Sequence, residues 1–180
     1  LQDAGYHTGW IGKWHVNGRG RAAYIPPEDR QGFEFWRTLE CTHDYNNSWY
    51  YGETPEKLKW EGYDAIAQTR EAQRFIEERN DPRPFALFLS WGPPHNPFET
   101  APEEYRNRYR AEELPLRGNV PQEHAEYARK DSAGYYAHCT ALDDCLGQLL
   151  HTLKQRGLED NTILVFTSDH GEMLYSQGEQ

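Results

Sequence analysis

The segment Ile163-Leu164-Val165-Phe166-Thr167-Ser168-Asp169-His170-Gly171 sets a short apolar run directly against a carboxylate, an imidazole and a glycine. The unbroken run from Ile163 to Phe166 predicts a strand covered on both faces, as in a parallel sheet flanked by helices. Asp169 and His170 then fall just past its carboxyl end. Open α/β sheets bind ligands at that edge, because the crevice opens where strands stop and loops begin. Gly171 allows a sharp turn there. The alternative reading is an ordinary strand running into an Asp-containing turn.

Upstream of this segment, Tyr135, Cys139, Leu142, Leu146, Leu149 and Leu153 recur at steps of four and three, which predicts a helix over roughly Asp131 to Arg156. Gly157 ends it, and a turn through Asp160-Asn161 completes a helix-to-strand crossover of the kind a parallel sheet needs. Phe85 to Trp91 is a second apolar strand, and it runs into Gly92-Pro93-Pro94-His95-Asn96-Pro97, whose prolines favour extended backbone. Before it, Ile66, Thr69, Ala72 and Ile76 mark one face of a helix over Tyr63 to Asn80, which Asp81-Pro82-Arg83-Pro84 terminates. Thr100-Ala101-Pro102-Glu103 resembles a capping box that opens a short helix through about Tyr109.

At the amino end, Leu1 to Ala4 reads as a helix end with Gly5 as a left-handed cap. His7 to Ile11 is a third strand, followed by Gly12-Lys13-Trp14-His15. Val16 to Gly32 has no helical or strand period and reads as a long polar loop. Trp49 to Tyr51 and Leu58 to Trp60 flank Gly52-Glu53-Thr54-Pro55, which predicts a small hairpin beside the main sheet. The fold expected is α/β: a central mixed, mostly parallel sheet flanked by helices and incomplete at both ends.

The 180 residues suffice for one domain with a real core, yet only 37% are hydrophobic and the mean hydropathy is -0.99, so long polar loops or a missing partner segment are expected. A formal net charge of -10 argues against a nucleic-acid surface, which needs clustered Lys and Arg to neutralise phosphates. No apolar stretch approaches the roughly 20 residues needed to span a bilayer. The only methionine is Met173, so the true start is expected upstream of Leu1. Cys41, Cys139 and Cys145 have no metal-finger spacing and leave the redox compartment open.

Each strand is thus followed by residues able to bind or move charge: Lys13 and His15, then His95, then Asp169 and His170. If the strands are parallel neighbours, all three loops open on one sheet edge and converge on one pocket. One carboxylate with one further ligand suits a hard divalent cation, calcium or magnesium, rather than zinc. A lysine and two other histidines suit an anionic substrate that needs charge stabilisation and a proton donor to a leaving oxygen. His43 and Asn46, in an aromatic-rich loop, are candidate substrate contacts. His138 and His151 are assigned to the surface or flank of the long helix. The aromatic residues Trp36, Tyr45, Trp49 and Tyr50 either stack on sugar rings or pack the core and hairpin.

Gly5-Tyr6, Thr8, Ile11-Gly12-Lys13-Trp14-His15, then Pro94-His95 with Pro97, then Thr167-Ser168-Asp169-His170-Gly171-Glu172-Met173-Leu174 resemble, in this order, motifs of the type I sulfatases of the alkaline-phosphatase-like superfamily. The resemblance spans almost the whole chain and implies a mixed sheet sandwiched by helices. It also implies hydrolysis of sulfate esters by a formylglycine whose hydrate attacks sulfur. By that likeness Asp169 and His170 bind Ca2+, Lys13 contacts sulfate oxygens, His15 contacts the formylglycine hydroxyl and helps eliminate sulfate, and His95 helps protonate the leaving alcohol. A formylglycine-generating or anaerobic sulfatase-maturing enzyme is the implied partner, and periplasmic, secreted or lysosomal placement is implied in the same way. The sequence departs from the family in lacking its Cys/Ser-x-Pro-x-Arg nucleophile motif, its amino-terminal aspartate pair and its later lysine. Residues 1–180 are therefore expected to be the middle of one catalytic domain, inactive alone. The rival expectations are a phosphodiester or phosphonate ester hydrolase of the same superfamily, and a non-catalytic calcium-dependent binding module.

Overall fold

The computed structural model describes residues 1–179. Five strands, β1 (His7–Lys13), β2 (Phe35–Leu39), β3 (Trp49–Tyr51), β4 (Lys57–Lys59) and β5 (Phe85–Ser90), form one sheet in the order β4-β3-β2-β1-β5. β1 runs parallel to both β2 and β5, whereas β2 with β3 and β3 with β4 are antiparallel. The sheet is mixed as expected, but parallel pairing is confined to its β2-β1-β5 half. The helices are α1 (Asp64–Glu78), α2 (Glu103–Arg106) and α3 (Ala125–Gln155). Among the described residues no helix is long and apolar enough to cross a membrane.

Consecutive strand residues point to opposite faces, and β1 uses both. Ile11, fully buried, packs with Trp60 and with Ala67 and Ala72 of α1, and Leu87 and Leu89 of β5 join from the neighbouring strand. On the other face Trp10 joins Trp14, Ile25, Phe33 and Trp36, so the long loop after β1 covers the sheet with aromatic rings. Trp10 stacks on Phe88 at 5.3 Å and Trp14 meets Trp36 edge-on at 5.0 Å. Burying a side chain such as Ile11 contributes roughly 1.5–3 kcal/mol. Gly12 adopts φ +100°, and a Cβ there would collide with the Ser90 carbonyl of β5. Only glycine lets the two strands close up beside Lys13.

α3 lies along α1. Leu153 meets Phe75 and Ile76 at one end, and Ala137, Ala141 and Leu142 meet Tyr63 and Ala65 at the other. The helix begins six residues before the expected Asp131, at Ala125, because its apolar contacts start with Ala125 and Ala128. Three expectations need correction. Ile163 to Phe166 is not a buried strand: no strand is assigned there and Ile163 and Val165 are 93% and 78% exposed, since no described strand lies alongside to accept their backbone. The crossover from α3 therefore ends in chain that pairs with no strand. Thr100 caps no helix; its hydroxyl donates to the Pro97 carbonyl (2.7 Å), and Pro102 stands at the start of α2 without a side-chain cap. His138 is not on the flank of α3 but fully buried.

Candidate functional site

The turn after β1 is fixed from below. The Trp10 indole N–H donates to the Lys13 carbonyl (3.0 Å) and the Trp14 amide donates to the Leu39 carbonyl (2.9 Å). Glu40, buried at the end of β2, receives the amides of Val16 (3.1 Å) and Asn17 (3.0 Å) on its two oxygens. His15, between Trp14 and Val16, is held at φ +54°. A left-handed conformation is uncommon for a residue with a Cβ, and the surrounding bonds over-determine it. β2 also delivers Cys41 and His43, with the Cys41 sulfur 3.7 Å from His43 Nε2.

β5 delivers His95 to the same edge. Its ring stacks on His43 with centroids 4.6 Å apart, and meets His170 edge-on at 6.4 Å. His95 Nδ1 lies 3.0 Å from the Asn96 carbonyl. A carbonyl can only accept, so Nδ1 carries the hydrogen and Nε2 is left to hold or release the exchangeable proton. The His43 pKa is lowered, first by burial and then by the positive fields of His95, Arg21, Lys13 and His15. The ends of β1, β2 and β5 thus gather lysine, arginine and imidazole groups around one point, a site suited to an anion.

The structure brings Lys13, His15, His43 and His95 together, with the His170 ring at the edge of the group. Asn46 is not part of the cluster in the same sense: it is exposed, and its amide is spent on the Thr100 carbonyl (2.8 Å). The sugar-stacking reading of the aromatic residues fails for Trp36 and Tyr45, both fully buried, while Tyr50 is stacked on Trp60 at 3.9 Å. Trp49 faces the Lys57 ammonium at 4.1 Å. Sequence reasoning missed Arg21 and Glu40, whose only signal is a charge beside a glycine or at a strand end, the commonest pattern of a solvated surface residue.

The metal expectation fares differently. The side chain of Asp169 is 85% exposed, 3.6 Å from the His170 ring, and accepts the His170 amide (3.0 Å). Among the described residues no three His, Cys, Asp or Glu side chains come close enough to hold an ion. A hard divalent ion takes six or more oxygen ligands, so these two groups do not by themselves form its site.

The comparisons with known proteins agree with the geometry. The sulfatase family model matches residues 1–180. An ulvan-active sulfatase from Formosa agariphila is 44% identical over 94% of this chain and 34% of its own length, and an endo-4-O-sulfatase from Bacteroides thetaiotaomicron is 28% identical over 86% and 32%. The solved sulfatase yidJ from Bacteroides fragilis superposes with a TM-score of 0.89 at 32% identity, covering 99% of this chain and 44% of that one. The chain spans about a third of the length of these curated relatives. From residue 1 to residue 180, this chain belongs to the sulfatase family.

Proposed function

We propose that the whole protein hydrolyses sulfate esters of a sulfated carbohydrate and that this chain is the middle portion of its catalytic domain. The observation that carries the reading is the stacked His43–His95 pair set among Lys13, His15 and Arg21 at the carboxyl edge of β1, β2 and β5. The carbohydrate class rests on the relatives named for ulvan and for endo-4-O-sulfate hydrolysis. In this reading Lys13 and Arg21 hold the anionic oxygens. His95 gives the proton on Nε2 to the leaving oxygen as the sulfur–oxygen bond breaks, while its Nδ1 hydrogen stays tied to the Asn96 carbonyl.

The sulfatase family implies a metal and a formylglycine. The finer proposal is that the metal is Ca2+ and that Asp169 and His170 are two of its ligands, the others lying outside the described residues. Maturation by a formylglycine-generating enzyme belongs to the same proposal.

The test is turnover of sulfated oligosaccharides, ulvan-derived and glycosaminoglycan-derived, by the whole protein, beside phosphodiester and phosphonate ester controls. Sulfate release that Lys13→Ala depresses supports the reading. Release of phosphate or phosphonate with no sulfate release at all transfers the site to the rival ester class.

A further inference from the structure

His95 sits on a loop with two load points, the carbonyls of Asn96 and Pro97, and two residues that the chemistry above does not use attach to them, one of them backed by a third. The Tyr45 hydroxyl donates to the Asn96 carbonyl at 3.1 Å, the same oxygen that the His95 ring engages at 3.0 Å. The Pro97 carbonyl faces His138 Nε2 at 3.3 Å, and His138 Nδ1 lies 2.6 Å from the Tyr63 hydroxyl. His138 and Tyr45 are fully buried and Tyr63 is 6% exposed.

The proton positions follow. The Pro97 carbonyl can only accept, so Nε2 of His138 carries the hydrogen and Nδ1 accepts from Tyr63. Burial keeps His138 neutral, with its pKa lowered to about 4, which preserves that one-donor, one-acceptor arrangement. Packing enforces the same register. A Cβ at Gly92 would meet the Tyr45 ring at 2.8 Å, and a Cβ at Gly134 of α3 would collide with the backbone of Phe98. The loop is thus clamped between Tyr45 on one side and α3 on the other.

We propose that Tyr45 and the Tyr63–His138 pair are positioning residues for His95, fixing through the Asn96 and Pro97 carbonyls the orientation and tautomer of its ring. The inference rests on the reading of His95 as proton donor for its consequence in catalysis, but not for its structural content. Tyr45→Phe removes one hydroxyl from a buried ring. His138→Leu removes the link to Pro97, whereas His138→Gln can still donate to Pro97 and accept from Tyr63.

The experiment measures two things on the whole protein. The first is the His95 ring tautomer, by nitrogen–proton correlation spectroscopy with selectively labelled histidine. In its neutral form, the state left once the Nε2 proton is given up, the wild-type ring is expected as the Nδ1–H tautomer, with an Nε2–H population appearing in Tyr45→Phe and His138→Leu and largely reversed in His138→Gln. The second is kinetic. Tyr45→Phe and His138→Leu are expected to lower kcat about tenfold on sulfate esters with poor leaving groups, a share of the hundredfold or more that a general acid supplies. KM should hold, activated aryl sulfates should lose less, and His138→Gln should recover most of the rate. An unchanged His95 tautomer in both disruptive variants overturns the proposal, whatever the activity. Shifted tautomers in a protein that releases no sulfate sustain the positioning and overturn the sulfatase reading. Should His138→Leu not fold, Tyr45→Phe alone decides.

Discussion

The imidazoles of His43 and His95 lie face to face, 4.6 Å between centroids and 25° between planes. They arrive from different strands, His43 from the loop after β2 and His95 from the loop after β5. Burial first, and the positive field of His95 and its neighbours second, hold His43 toward the neutral form. The neutral His43 ring then serves as a flat platform for His95. His43→Ala should lower kcat by up to tenfold, the equivalent of the ~0.5–1.5 kcal/mol that an aromatic pair contributes. His43→Phe, which keeps a ring there, should retain most activity. Equal losses in both variants would show that a His43 nitrogen touches substrate.

His95→Ala should slow turnover by on the order of a hundredfold or more for sulfate esters of sugar alcohols, which leave poorly without a proton. Activated aryl sulfates need little protonation and should suffer less. The comparison of kcat on the two substrate types is the measurement; losses of the same size on both would make His95 an anchor rather than an acid.

If Asp169 is a calcium ligand, Asp169→Asn in the whole protein should weaken calcium binding, since a hard ion loses one anionic oxygen. Calorimetric titration reads the affinity directly, independent of turnover. Affinity equal to that of wild type would place the ion elsewhere.

The fold was legible where local pattern and tertiary context agree. β1, β5, the β3–β4 hairpin and the α1 face carrying Thr69, Ala72 and Ile76 all follow from periodicity, and each is where the sequence puts it. The gathering of Lys13, His15 and His95 was legible for the same reason, because parallel neighbours open their loops on one edge, whereas His43 arrives after β2, a strand that the sequence reading did not mark. Ile163 to Phe166 reads as a buried strand because its composition records the neighbour it would pack against, and the described chain holds no such neighbour. His138 was illegible for the opposite reason. A histidine on a helix gives no sign of facing Tyr63 and Pro97, which only the packing of α3 on α1 supplies. Glu40 likewise declares itself only through the two amides it caps.

Two buried groups should give opposite pH dependences of stability. His138, lowered to about 4 from the ordinary 6.5, binds fewer protons folded than unfolded, so its contribution is present above about pH 6.5 and is lost as pH falls toward 4. Asp64, buried at the start of α1 and raised to about 7 from 3.8, keeps in the folded state a proton that the unfolded chain has released. Its contribution is present at pH 4 and is lost as pH rises toward 7. Across pH 4 to 6.5 the two slopes nearly cancel. Asp64→Asn should therefore unmask acid lability, and His138→Gln should unmask a decline in stability from pH 4 toward 7. Thermal midpoints of the whole protein across this range check both; parallel profiles for wild type and the two variants would mean neither group is coupled to folding.

The final prediction concerns residues 1–180 produced alone: they should release no sulfate and should associate through Ile163 to Phe166. A sulfate ester needs a nucleophile, and none of Cys41, Cys139 and Cys145 stands in the Cys-x-Pro-x-Arg context that maturation to formylglycine requires. The lysine and imidazole groups can bind an anion and donate a proton, but they form no covalent intermediate that would split the reaction into two easier steps. Association has a separate cause. Ile163, Val165 and Phe166 are 93%, 78% and 61% exposed in chain that pairs with no strand, so backbone donors and acceptors stand free beside apolar side chains. Such a segment templates pairing with another copy. Val165→Lys places a charge in the middle of the run and should raise the monomer fraction measured by light scattering, without altering the β1 to β5 sheet. Clear sulfate release by the isolated chain, abolished by Lys13→Ala, would mean that a nucleophile lies among these residues and that the family chemistry fails here at its central step.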